Sequence, residues 1–187
     1  MLIQERDRLE HATERGAVRW VGPSQIHVTL RFCGNILESQ IGAIVEALRS
    51  LAVMTPRFRL ETGPLGRFPE AGHPRVIWIG LGGDLSALER LQKAIAEGTR
   101  SWGDHQENKP FQPHLTLGRV KTTRPRELDA LGATMKAKPG AASRAWTTAA
   151  IELIQSTLTS AGPAYQVLAA LPLGGAVSPG AGLENAD

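Results

Sequence analysis

The stretches His27-Val28-Thr29-Leu30 and His114-Leu115-Thr116-Leu117 decide how this chain is read. Successive side chains of a strand point to opposite faces, so His27 and Thr29 share one face while Val28 and Leu30 share the other. His114 and Thr116 share a face in the same way, with Leu115 and Leu117 opposite. A half-buried strand needs apolar residues only toward the core. Here the other face twice carries an imidazole and a hydroxyl, about 7 Å apart along the strand. That pair suits a phosphate lying between two strands. Threonine hydroxyls donate to its oxygens, and each imidazole can give or take a proton near neutral pH. A single His-x-Thr is most often a chance pair on a solvated strand. Two copies with the same apolar fill, at equivalent places in a repeated pattern, mark a candidate site.

The flanking sequence supplies that repeated pattern. Gln4 to Arg15 is polar with Leu9 and Ala12 at helical spacing, and reads as a surface helix. Trp20 and Val21 precede the turn Gly22-Pro23-Ser24, and Ile26 to Phe32 alternates as a strand. Ile36 or Leu37, Ile41, Ile44, Val45, Leu48 and Leu51 form an amphipathic helix stripe. Phe58 to Leu60 reads as a strand leading into a Gly/Pro-broken stretch, Gly63 to Pro74, and Val76 to Gly80 as a short apolar strand. Leu85, Leu88, Leu91 and Ile95 mark another helix, with Ser86 and Glu89 at capping-box spacing and Asp84 as the rival N-cap. His114 to Val120 is a strand and Glu127 to Met135 a helix. Trp146 to Gln155 and Gln166 to Leu171 read as closing strands. Each half thus holds a helix, a His-x-Thr-Leu strand, a second helix and a further strand. Only the second half has a strand before its first helix, so by symmetry one strand is expected to be absent from the N-terminus.

The 187 residues carry a formal charge of +3, with 42% hydrophobic residues and one cysteine. That length fits one domain or two small lobes sharing a core. Cys33 alone excludes an intrachain disulfide and any thiolate-rich zinc site, which fits a reducing compartment. No stretch reads as a signal peptide or a membrane span, so a cytoplasmic protein is expected. The charge is merely compatible with an anionic ligand. Zinc generally takes three or four clustered ligands, and no carboxylate or cysteine stands at partner spacing to His27 or His114; no metal is expected. Gly80 to Gly83 lacks the ending of a phosphate-binding P-loop. His11, His73 and His105 read as solvated, and Phe32, Trp78 and Trp146 as core. Arg31 falls on the His27 face and could contact the phosphate, a solvated arginine being an equally good reading. Arg119 falls on the opposite face unless a bulge intervenes. Tyr165 reads best as a packing residue, with a place beside the phosphate site as the other reading.

With these motifs in order, the chain resembles the two-histidine (2H) phosphoesterases. More narrowly, it resembles the RNA 2′,3′-cyclic phosphodiesterases, also called LigT-like proteins or 2′-5′ RNA ligases. The resemblance spans roughly residues 5 to 173. It rests on Arg19-Trp20-Val21, on His27 to Phe32, on Phe68-Pro69, and on Pro74 to Trp78. It rests further on Pro113 to Arg119 and on Gln155 to Leu158 leading to Gly162-Pro163-Ala164-Tyr165. Two departures stand out: the family's usual apolar strand before the first helix is absent, so a truncated start is expected, and Cys33 replaces a common leucine.

The resemblance implies an α+β, bilobal, duplicated fold: two pseudo-symmetric antiparallel-sheet lobes, helices outside and a central cleft. One domain over residues 1–173 is expected, with pseudo-repeats of about 1–74 plus 165–173 and 75–164, followed by a disordered tail, 174–187. The implied reaction is hydrolysis of a terminal 2′,3′-cyclic phosphate to a 2′-phosphomonoester, with His27 as proton donor and His114 as proton acceptor. Thr29 and Thr116 would bind the phosphate. Run in reverse, the same groups would form a 2′-5′ link. The implied partner is RNA or an oligonucleotide with a 2′,3′-cyclic phosphate end, bound by a monomer without a cofactor. A phosphodiesterase acting on 2′-5′ oligonucleotides or cyclic nucleotide derivatives, and a non-catalytic RNA-binding module, are the rival readings.

Overall fold

Ile77, Ile79 and Leu81 alternate along Val76–Gly83 (β3), and Leu115 and Leu117 along His114–Val120 (β4). All five are buried, and the two strands pair antiparallel. This is the apolar centre of a five-stranded sheet in a computed structural model that describes residues 2–105, 109–136, 143–160 and 162–174. Val18–Trp20 (β1), Arg59–Phe68 (β2) and Ala145–Thr147 (β5) complete the sheet, in the order β1-β4-β3-β2-β5. Ala150–Thr159 (β6) and Gly162–Pro172 (β7) form a separate antiparallel hairpin.

The helices are Leu2–His11 (α1), Ile41–Met54 (α2), Leu85–Gly98 (α3) and Pro125–Lys136 (α4). Ile44, Leu48 and Ala52 recur at helical spacing on the buried side of α2, which packs against both α3 and the β6–β7 hairpin. Leu88, Leu91 and Ile95 do the same for α3. These side chains join those of β3 and β4 in one continuous core. Each buried leucine or isoleucine contributes about 1.5–3 kcal/mol through removal from water. Asp84 is the N-cap of α3: its Oδ1 accepts from Ala87 N–H at 2.9 Å and from Ser86 Oγ at 2.8 Å. Those donors hold its carboxyl below the usual carboxylate range. None of the helices among the described residues is long and apolar enough to cross a membrane.

An α+β architecture of antiparallel sheets flanked by helices agrees with the resemblance. Several local expectations change. β2 continues through Gly63 and Pro64 as far as Phe68, because a register shift between Thr62 and Leu65 absorbs a proline that cannot donate to the ladder. The expected strand over residues 146–155 is two strands, β5 and β6, which belong to different sheets. Sheet membership therefore does not follow the expected repeats: β2 pairs with β3, and β6 pairs with β7 across the 164/165 division. Phe32 is 55% exposed rather than core. The expected tail lies, beyond Gly174, outside the described residues.

Residues Ile26 to Phe32 form no sheet ladder. Alternation sets which side chains turn inward, but a strand also needs a neighbour within hydrogen-bonding distance. Ile26, Val28 and Leu30 do pack against the core, as the alternation requires. The far end of the segment is tied down by side chains instead. Arg31 donates from Nη1 to Thr99 Oγ1 and from Nη2 to Trp102 O at 3.0 Å. Beyond it, Asn35 donates to both oxygens of Asp104, from its backbone N and from Nδ2, each at 2.8 Å. These bonds lower the Asp104 carboxyl below its ordinary range. His105 N–H adds a bond to Cys33 O at 3.2 Å.

Candidate active site

His114 and Thr116 stand on β4 with their side chains opposite the buried Leu115 and Leu117. His27 and Thr29 approach from the unpaired segment across a cavity of about 430 Å³. All four line that cavity. Its further wall is the turn of the β6–β7 hairpin, through Thr159, Gly162, Pro163, Ala164 and Tyr165. Gln25 Nε2 donates to Pro163 O at 3.3 Å, which joins the first-motif segment to this turn.

The two imidazoles are held alike. His27 Nδ1 lies 2.7 Å from Gln25 O, and His114 Nδ1 lies 2.7 Å from Gln112 O, in each case the carbonyl two residues back. A carbonyl only accepts, so each Nδ1 carries its proton. Nε2 is then the nitrogen left for a ligand: a lone pair when the ring is neutral, an N–H donor when it is charged. Each ring also meets an aromatic edge-on. His27 stands 5.2 Å from Tyr165 at 86°, and His114 stands 5.0 Å from Phe68 at 86°, with Trp78 at 6.0 Å. Backbone anchor and aromatic flank together fix ring position and tautomer. Each ring is thereby left with Nε2 as its free nitrogen.

A bulge settles the side of Arg119. Trp78 pairs with Thr116 but Ile77 pairs with Gly118, so Leu117 is an extra residue in β4. The extra residue shifts the alternation, and Arg119 comes to line the cavity with His114 and Thr116. Gly118 makes this possible. A Cβ there would fall 2.9 Å from Trp20 Cε3 and 2.7 Å from Val18 Cγ1. A glycine inside a strand was the available sign of such a bulge. Arg19, directly opposite Arg119 in the β1–β4 register, lines the same cavity.

Arg31 is the correction. It does not line the cavity. The chain bends at Leu30, so alternation from His27 no longer holds one residue later. Its guanidinium is spent on Thr99 and Trp102. Tyr165, for which packing was the better reading, lines the cavity instead. Arg19 was read only as part of a family-like stretch, and Gln25 and Thr159 were not read as site residues, because the three sit on a three-residue strand, a short 3-10 turn and a hairpin end whose partners are remote in sequence. Of the three other histidines, His11 Nδ1 lies 2.6 Å from Asp7 O. The His105 ring meets Phe32 at 5.2 Å, and neither these two nor His73 reaches the cavity. Among the described residues, no group of three or more histidine, cysteine or acidic side chains is arranged to hold a metal ion.

The family model described as the 2′-5′ RNA ligase superfamily matches residues 3–158. This chain belongs to that superfamily. Among its relatives, a protein of Aeropyrum pernix named RNA 2′,3′-cyclic phosphodiesterase is 34% identical over 167 residues, covering 89% of this chain and 92% of its own. A protein of the same name from Aquifex aeolicus is 34% identical over 158 residues, covering 84% and 82%. A solved structure from Thermus thermophilus superposes with a TM-score of 0.73 at 25% identity, covering 92% of this chain and 89% of that one. E. coli LigT complexed with 3′-AMP superposes with a TM-score of 0.70 at 21% identity, covering 91% of each chain, and shares the superfamily fold.

Proposed function

We propose that this chain hydrolyses 2′,3′-cyclic phosphate ends of RNA to 2′-phosphomonoesters, using His27 and His114 as the acid–base pair. The observation that carries the reading is the matched pair of imidazoles, each anchored through Nδ1 and each lining one cavity with a threonine of its own motif. The names of the relatives support the substrate class.

In this reading His114 Nε2 takes a proton from water as the water oxygen forms a bond to phosphorus. The bond from phosphorus to the 3′ oxygen breaks, and His27 Nε2–H gives that oxygen a proton. The products are a 2′-phosphomonoester and a free 3′-hydroxyl, and proton exchange with solvent resets both rings. Attack in line with the departing oxygen requires base and acid on opposite sides of phosphorus, which two motifs facing across a cavity can supply. Each proton transfer contributes about 10²–10⁴-fold. Thr29, Thr116 and Arg119 would donate to the non-bridging oxygens, where charge accumulates. Reversal, with a 5′-hydroxyl in place of water, would form a 2′-5′ link. The same reading takes the protein as a cytoplasmic monomer, a setting supported by the free thiol of Cys33.

The test is to incubate an oligonucleotide bearing a 2′,3′-cyclic phosphate with the protein and to determine the new end by phosphorus NMR. A 2′-phosphate is expected. A 3′-phosphate would assign the leaving oxygen wrongly, and binding without conversion would favour a non-catalytic RNA-binding module.

A further inference from the structure

We propose that Arg19 holds the internucleotide phosphate next to the cyclic end, so that the site prefers an RNA end of two or more nucleotides over a cyclic mononucleotide. This rests on the hydrolase reading above and goes beyond it in naming how much of the RNA the site recognises.

Arg19 and Arg119 face each other directly across the β1–β4 ladder. Like charges in that position oppose folding. Among the described residues, neither guanidinium makes an ion pair or a side-chain hydrogen bond, and no carboxylate lines the cavity they share. Arg19 is moreover half-buried. A partly desolvated cation set against another cation, with nothing to neutralise it, is a costly arrangement that a bound anion relieves.

The charge of the substrate decides how many anions are needed. A cyclic phosphodiester carries one negative charge. With one histidine charged as acid and the other neutral as base, the imidazolium already balances it. Two guanidiniums then remain. Arg119 stands on the strand of His114 and Thr116, beside the reacting phosphate. Arg19 extends from the outermost strand of the sheet to the opposite wall, against Gly162 of the β6–β7 turn. A Cβ at Gly162 would come within 3.1 Å of Arg19 Nη1 and 3.3 Å of its Cζ. Gly162 has φ +127°, which also requires glycine. The guanidinium slot is thus part of the turn. The anion it fits is a second phosphate of the same strand, since arginines are among the donors that hold nucleic-acid backbone phosphates and fix the strand's register.

The experiment compares kcat/KM for a 2′,3′-cyclic mononucleotide, a dinucleotide with the same cyclic end, and that dinucleotide with a neutral methylphosphonate linkage. The wild-type protein should favour the charged dinucleotide at least tenfold, and the methylphosphonate should erase most of that advantage. In Arg19→Gln the ratio of charged to neutral dinucleotide should collapse toward one, while Arg19→Lys should retain part of it. Equal use of charged and neutral dinucleotides by the wild-type protein would overturn the proposal, as would an Arg19→Gln variant with the wild-type ratio. The wild-type comparison stands even if the variant does not fold. No turnover of any cyclic phosphate would instead overturn the hydrolase reading on which this one depends.

Discussion

Replacing Arg31 by methionine separates two roles for a single cation close to the His27 motif. The structure gives its guanidinium two bonds, to Thr99 Oγ1 and to Trp102 O. Thr99 is only 2% exposed and also donates to Ile95 O at 2.6 Å, so the arginine is fastened to a buried group at the end of α3. Hydrogen bonds from a charged donor contribute about 1.5–3 kcal/mol each, and partial exposure of Arg31 reduces the pair to at or below the low end of that sum, about 2–3 kcal/mol together. For a chain of this size 1 kcal/mol moves Tm by about 2–4 °C, so Arg31→Met should lower Tm by about 5–10 °C. Thermal unfolding followed by circular dichroism reads this directly. Turnover below the transition should fall through loss of His27 placement, and the salt dependence of kcat/KM should stay as in the wild-type protein. An unchanged Tm together with a weaker salt dependence would refute the reasoning. It would return Arg31 to the role of a substrate contact.

Three further outcomes follow from the site and its supports. Arg119→Met should cost about 10–100-fold in kcat/KM, the worth of one charge-assisted bond, with Tm unaltered because this side chain is exposed; a drop in Tm with normal kinetics would contradict it. Tyr165→Ala should slow turnover by up to about tenfold through loss of the edge-on contact to His27, and Tyr165→Phe should restore it; an equally slow phenylalanine variant would shift the role to the hydroxyl. The Asp84 carboxyl is lowered by its bonds from Ala87 N–H and the Ser86 hydroxyl, so ionisation is favoured more in the folded than in the unfolded chain. Its stabilisation should be complete above about pH 4 and be lost as pH falls through the lowered value, so the Tm gap between wild type and Asp84→Ala should narrow in acid; a constant gap would count against it.

What could be read from the chain depended on whether the deciding interaction was local. The α3 stripe of Leu88, Leu91 and Ile95 lies within a dozen residues and was legible; of its two candidate caps the rival, Asp84, forms rather than the Ser86–Glu89 capping box. β4 was legible too, because each buried leucine sits next to the residue it directs outward. Arg119 needed a bulge, and a bulge depends on the partner strand: Leu117 looks like any strand leucine until Ile77 pairs with Gly118. Arg19 enters the cavity through pairing with Arg119, far along the chain, and nothing near it in sequence announces that register. The first motif shows the opposite limit. Its alternation correctly turned Val28 and Leu30 inward, yet it could not reveal that no strand pairs beside it or that the chain bends before Arg31.

Most directly at stake is whether the two imidazoles act together on one phosphorus. The deciding measurement is the initial rate on an oligonucleotide with a 2′,3′-cyclic phosphate, in excess EDTA, for the wild-type protein, His27→Ala and His114→Ala, with folding monitored alongside. The account predicts steady conversion by the wild-type protein and a loss of at least about 10²-fold in each folded variant. Undiminished conversion in both variants would contradict it.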